Sequence, residues 1–439
     1  MVFLSRIRRS LSPSHFGLNG RSYALPARPV VVVCLDGCED EYMSAAMARG
    51  LVPNLQSFYV QGFHGLARAA LPSFTNPNNV SIVTGLPPSA HGISGNYFFD
   101  RSAGEEVMMN QKRFMRASTV LKAAEDAGRK VAVITAKHKL HPLLSSDLSP
   151  GKSMFFSIER TADAAADTNG ISAEEIRPLY RSGSEDGAVP VPDIYSAEAS
   201  VFVLRAGAAL VESGQADFLY LSTTDYIQHK HPPDDPVALQ LYRDFDAELG
   251  RLARAGAAIG ITADHGMNAK QRDDGSPNVL YLSAVLEDFG VPADATRILL
   301  PITDPYVRHH GSLGGFATVY LEGSSKQEDK IELLRRRLLM TPGISECYTR
   351  EEAAAKLELP ADRIGDLCIL ADRHCVLGKK PEDHELEEVA QGLRSHGARY
   401  EEVVPFVLSS PLQKRFEQRA TAGLRNFDIF EAITTWVQH

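Results

Sequence analysis

The sequence predicts an α/β protein: a mostly parallel central sheet with helices on both faces, carrying a smaller inserted α+β cap domain. Three observations predict it. Short unbroken apolar runs, each closed by polar residues, recur along the chain. Amphipathic stretches of helical length separate them. From about residue 275 to 385 that rhythm breaks.

The runs are PVVVVCLDG (29–37), KVAVITAKHKL (130–140), ADFLYLSTTD (216–225) and AAIGITADHG (257–266), with PFVLSS (405–410) a weaker example. A strand covered on both faces reads as a continuous apolar run rather than an alternation. Helices are expected over 117–127, 196–213 and 236–255. Strand alternating with helix gives a parallel sheet, whose ligands bind beyond the carboxyl ends of the strands. The polar residues directly after each run are therefore the candidates: Asp36, Lys137, Lys139, Asp225, Asp264 and His265.

Within 275–385, FATVYLEG (316–323), a charged helix at 326–339 and PGISECYTREEAAAKLEL (342–359) read as a strand–helix–strand–helix insertion. The expected layout is a basic, flexible leader at 1–18, core at 19–274, cap at 275–385, and core again at 386–439. The acidic, Pro-containing stretch 186–193 reads as a surface loop.

At 439 residues, with 44% hydrophobic and 23% charged side chains, the chain has the make-up of a soluble enzyme of two to three domains, or of one large α/β domain carrying an insertion. Its net charge of −9 argues against nucleic-acid binding, which favours a basic stripe. No apolar run reaches the roughly 18 residues a membrane span needs. Five scattered cysteines offer neither a CxxC pair nor a disulfide framework, so a reducing cytoplasm is the expected compartment. Residues 1–28 contain no Asp or Glu and no continuous apolar stretch, unlike a secretory signal.

In TTDYIQHKH, Asp225 and His229 are four apart, so a helix beginning after the strand puts both on one face. Such a pair alone is commonly a surface ion pair. ITADHGM ends a strand in Asp264 and His265, which can converge in the loop that follows, or else act as cap and exposed imidazole. Asp36 ends a third run. Carboxylates at three strand ends repel one another and call for a polyvalent cation. LPSFTNPNNVSIVTGLPPSAHGISGNYF (71–98) places Thr75 before a segment able to start a helix and aim N–H groups at an anion. His396, in RSHGARYEE, could close the set. Asp, His and a hydroxyl suit Zn²⁺, and seven ligands suit two ions with open positions.

The order Asp, Thr, DxxxH, DH, His resembles the alkaline phosphatase superfamily, specifically its nucleotide pyrophosphatase/phosphodiesterase-like branch, from about residue 19 onward. The resemblance implies two Zn²⁺ per chain, one held by Asp225, His229 and His396, the other by Asp36, Asp264 and His265, with Thr75 at the second as nucleophile. It implies a substrate-binding set of Thr75, Asn96, Lys137, Lys139, His229 and His396. Asn96 would donate to a phosphoryl oxygen, although turn formation in GNY is the plainer reading.

Lys137 and Lys139, two apart after a strand, would share one face of an extended segment. Two ammonium groups suit a substrate carboxylate, and such a carboxylate stabilises the carbanion left when a C–P bond breaks. The expectation is hydrolysis of phosphonoacetate to acetate and phosphate, with a nucleotide pyrophosphatase or phosphodiesterase using the same metals as the alternative. The partner is then a small phosphonate, with a homodimer left open. No GxxxxGK[ST] loop and no CxPxR-like sulfatase sequence is present. His309 and His310 are left unassigned.

Overall fold

The computed structural model describes residues 14–161, 192–389 and 392–439. An eight-stranded sheet runs through the centre. Its strands, in spatial order, are Leu424–Arg425, Phe63–Arg68, Val403–Leu408, Ala258–Thr262, Val30–Cys34, Phe218–Ser222, Val131–Thr135 and Met154–Ser157. From Ala258–Thr262 to Met154–Ser157 every pairing is parallel. Four apolar runs read from the sequence thus lie side by side, all fully buried. Burying one such valine or leucine contributes about 1.5–3 kcal/mol, so these strands anchor the core.

Side chains alternate between faces along a strand. Phe218 and Tyr220 meet Phe430 on one face, ring centroids 5.5 and 5.9 Å apart. Leu221, on the other, closes on Gly207 of the helix Ala197–Glu212 so tightly that a Cβ there would lie 2.6 Å from a leucine methyl. Helices therefore cover both faces. Ala197–Glu212 begins where the Ser196 hydroxyl accepts from Ala199 N–H, and Pro236–Arg254 where Asp235 accepts from Val237 N–H.

The last run departs from expectation. Val403–Leu408 is antiparallel to both neighbours. It follows the loop carrying His396, at the rim where the parallel strands end, and can only run back down the sheet. Its partner Phe63–Arg68 is half exposed and carried no unbroken apolar signal. Part of the expected leader is also structured: His15–Leu18 pairs with Arg21–Ala24, and Phe16 stacks on Tyr23 at 5.1 Å. Residues 1–13, and most of the acidic stretch 186–193, lie outside the described residues.

A second, four-stranded antiparallel sheet orders Thr296–Leu299, Phe316–Leu321, Leu367–Ala371 and Ile344–Thr349. The helices Leu282–Asp288, Glu328–Leu339 and Arg350–Lys356 pack with it into a core of its own. Leu71, Phe74 and Ala398 join that core from outside the 275–385 segment. Among the described residues, no helix is long and apolar enough to cross a membrane.

Candidate active site

Parallel strands lie about 4.8 Å apart, so residues just past their carboxyl ends fall within ligand distance of one another. Asp264 and His265, Asp36, Asp225, and Lys137 follow four consecutive strands of the sheet. Asp225 begins the short helix Tyr226–Lys230, which returns His229 to it: Nε2 sits 3.0 Å from Asp225 Oδ2. Two clusters result, Asp225 with His229 and His396, and Asp36 with Asp264 and His265, each with its ligand atoms within 4.8 Å of one another. All six side chains are buried. His265 Nε2 bridges the clusters, 3.2 Å from Asp36 Oδ1 and 4.0 Å from Asp225 Oδ2.

The imidazoles are held in one orientation. His229, His265 and His396 each direct Nδ1 at a backbone carbonyl, of Arg394 (2.7 Å), Gly266 (2.9 Å) and Ser73 (2.7 Å). Nδ1 is then the donor, leaving the Nε2 lone pair to face the carboxylates, the arrangement found in metal-ligating histidines. Asp264 is fixed likewise, by Asn79 Nδ2 at 3.1 Å and by its own chain through His265 N–H at 3.1 Å. Asn79 is itself held by Tyr220 and Ser222 hydroxyls at 2.7 and 2.9 Å.

The residues fit a pair of divalent cations. Asp36 Oδ1 makes no hydrogen bond although wholly buried. Three carboxylates share the site, with the Lys137 ammonium 2.8 Å from Asp36 and 2.6 Å from Asp225. Burial, and then the Asp36 charge, push Asp264 up to about 7. Burial works against protonation of His265, yet Asp264 and Asp36 raise it to about 9. Burial and the neighbouring His265 hold His396 well below the usual imidazole range. This strain between like charges is what bound dications relieve.

Thr75 is the first residue of the helix Thr75–Thr84, with Oγ1 3.5 Å from His265 Nε2. The hydroxyl stands at the positive end of the helix beside the ligands, where an oxyanion is favoured. Phe74, just before it, packs edge-on against Phe316 of the second sheet at 6.3 Å and against His396 at 5.7 Å. Gly397 (φ +123°) makes this contact feasible, since a Cβ there would fall 2.3 Å from the Phe74 ring. The His396 segment is tied to the second sheet as well: Gly315 N–H donates to His396 O at 2.8 Å, and Ser395 Oγ to Leu313 O at 2.7 Å.

Lys137 and Lys139 do not lie on an extended segment. Lys139 falls in the 3₁₀ turn His138–Leu140. The tight turn nevertheless brings both ammonium groups inward, 5.8 and 5.6 Å from the centroid of the Tyr306 ring. Burial opposes the charge on Lys137, but Asp225 and Asp36 keep it protonated well above the ordinary lysine value. Lys139 pairs with Asp304, a buried carboxylate the sequence did not single out. Asn96 accepts from Asn76 N–H at 3.0 Å, and its amide group donates to Ile302 O at 3.2 Å and reaches Asp304 at 3.4 Å. His310 is buried, its ring 5.6 Å from that of His229 and its Nε2 3.7 Å from Asp304; burial lowers its basicity. The His309 side chain lies outside the described residues.

Residues 30–399 match the family model for type I phosphodiesterase / nucleotide pyrophosphatase. The chain belongs to this family. Among type I phosphodiesterase / nucleotide pyrophosphatase relatives, an uncharacterized pyrophosphatase/phosphodiesterase of Schizosaccharomyces pombe is 41% identical over 78 residues, 18% of this chain and 15% of that protein. The ectonucleotide pyrophosphatase/phosphodiesterase family member 3 of Bos taurus is 35% identical over 85 residues, 19% of this chain and 10% of that protein. These matches span a small fraction of either relative. A solved structure covers far more: phosphonoacetate hydrolase from Sinorhizobium meliloti 1021, in complex with phosphonoformate, superposes with a TM-score of 0.87 at 44% identity, over 96% of this chain and 98% of that one. The same enzyme in complex with phosphonoacetate matches equally well, at 43% identity. Murine ectonucleotide pyrophosphatase/phosphodiesterase 5, at 15% identity and a TM-score of 0.59, shares the fold.

Proposed function

We propose that this protein hydrolyses the carbon–phosphorus bond of phosphonoacetate, giving acetate and phosphate, with two Zn²⁺ bound. The observation that carries the proposal is the pair of buried ammonium groups, Lys137 and Lys139, beside the two ligand clusters. Likeness to phosphonoacetate hydrolase over nearly the whole chain supports it. Nitrogen and oxygen donors in sets of three, with room for further ligands, suit zinc.

Asp225, His229 and His396 would hold one ion, and Asp36, Asp264 and His265 the other. Bound zinc supplies Lewis acidity toward phosphoryl oxygens and lowers the pKa of hydroxyl and water ligands. Thr75 Oγ1 attacks phosphorus; the new P–O bond forms as the P–C bond breaks, and its electron pair passes to carbon. The neighbouring carboxylate delocalises that charge as an enediolate, and the Lys137 and Lys139 ammoniums lie where it develops. The proton given up by the Thr75 hydroxyl, or its equivalent from water, goes to the carbon to give acetate, and water then releases phosphate from Thr75 and restores its hydroxyl. Asn96 accepts from the Asn76 N–H next to Thr75, and its amide would have to turn from Ile302 O and Asp304 to donate to a phosphoryl oxygen.

The full charge on both lysines is poorly suited to a nucleobase, which asks for an aromatic slot. Five buried, unpaired cysteines accord with a reducing compartment. The test is phosphate release by zinc-loaded protein from phosphonoacetate, phosphonopyruvate and a nucleotide diester, with and without chelator. Phosphate and acetate in equal amounts from phosphonoacetate are expected. Turnover of the diester alone overturns the proposal in favour of a phosphodiesterase.

A further inference from the structure

The segment 301–310, which ends in the short helix Val307–His310, reaches from the second sheet into the site and delivers Asp304, Tyr306 and His310. Asp304 is the one that changes the site's charge. We propose that Asp304 sets a charge count in the pocket for the substrate's organic end, so that an end bearing one negative charge is admitted and an end bearing two is rejected. This rests on the phosphonate reading above, and names a specificity residue for it.

The carboxylate is fixed rather than a mobile counter-ion. Oδ1 accepts from Tyr306 N–H at 2.7 Å, and Oδ2 takes Lys139 and lies 3.4 Å from Asn96 Nδ2. Its side chain is 4% exposed and that of Lys139 is 1%, so water screens neither. Lys137 and Lys139 address the same Tyr306 ring and so face one compartment. With Asp36 and Asp225 committed to divalent ions, the buried charges in that compartment are two ammoniums and one carboxylate, a net single positive charge; Glu159, which accepts from the Tyr306 hydroxyl, is exposed and screened by water. One substrate carboxylate balances it. A second would be buried without a counter-charge, and unpaired buried charges are strongly disfavoured. Because Asp304 also reaches Asn96, the same carboxylate ties the lysine to the side chain that accepts from Asn76 N–H, next to Thr75.

The experiment measures binding by calorimetry to the zinc-loaded protein of 2-phosphonosuccinate and of its mono-amide, which match in size and differ by one charge. The expected result is that the wild type prefers the mono-amide, and that Asp304→Asn shifts the ratio of the two affinities toward phosphonosuccinate by about tenfold or more. An unchanged ratio in a variant that melts normally overturns the proposal. Equal binding of both probes by the wild type also overturns it, with no variant required. Binding is read without turnover, so absence of phosphonoacetate cleavage counts against the substrate reading and leaves this ratio to decide the charge rule.

Discussion

His265 and His396 lie face to face, ring centroids 3.5 Å apart and planes within 6° of parallel, although each belongs to a different ligand cluster. Two buried imidazoles so close cannot both carry a positive charge. Asp36 and Asp264 decide which does: His265 is raised to about 9 against the pull of burial, while burial and the resulting charge depress His396. The metal-free site therefore favours a protonated His265, a candidate metal ligand.

Metal uptake must displace that proton. Below about pH 7 both Asp264 and His265 are protonated, between 7 and about 9 only His265, and above 9 neither. Apparent affinity should rise with pH, by up to two powers of ten per unit below 7 and about one between 7 and 9, then level off. Titrations in buffers of contrasting protonation enthalpy count the protons released. Affinity independent of pH between 6 and 9 contradicts this.

The two lysines should behave differently. Lys137→Ala removes the ammonium that touches both Asp36 and Asp225, a loss of about 3–5 kcal/mol in the metal-free protein. Zinc should restore most of it, because the ions take over those carboxylates. Lys139→Ala strands Asp304, which belongs to neither cluster, so zinc should restore little. Thermal melts with and without zinc distinguish the two, and equal rescue would show that Asp304 relaxes into the metal site.

Thr75→Ala should lower phosphate release by about a thousandfold or more, the scale of losing a nucleophile. The hydroxyl's hydrogen-bond partner is His265 at a long 3.5 Å, so folding and metal content should hardly change. Thr75→Ser should keep measurable activity. Substantial turnover by the alanine variant points instead to direct attack by water.

Each cluster should lose its own ion. Asp225→Ala and Asp264→Ala are expected to retain about one zinc in place of about two, by elemental analysis after gel filtration. Full occupancy in either variant breaks the assignment of ligands to two centres.

Much of this site was legible because buried parallel strands are written as apolar runs, and their ends mark the rim where ligands gather. Asp36, Asp225 and Asp264 follow three such strands, and the i, i+4 spacing of His229 needed just one helical turn. Other parts gave no such signal. Phe63–Arg68 is half exposed and so lacks the unbroken pattern. Asn79 belongs to a segment that reads as a possible helix start, and its role appears when Tyr220 and Ser222 arrive from another strand. The direction of Lys139 depends on a 3₁₀ turn and on Asp304, which lies 165 residues away. An Asp between Thr303 and Pro305 carries no periodicity at all.

The hydrogen bonds from Gly315 to His396 and from Ser395 to Leu313 make the smaller lobe and one candidate metal ligand parts of a single splice. A chimaera that exchanges 275–385 alone, in order to graft a new preference, would cut through that splice and misplace His396. Transplanting the lobe together with the strap 393–399, and with Phe74 as its seat, is the smallest graft that carries chemistry along with selectivity.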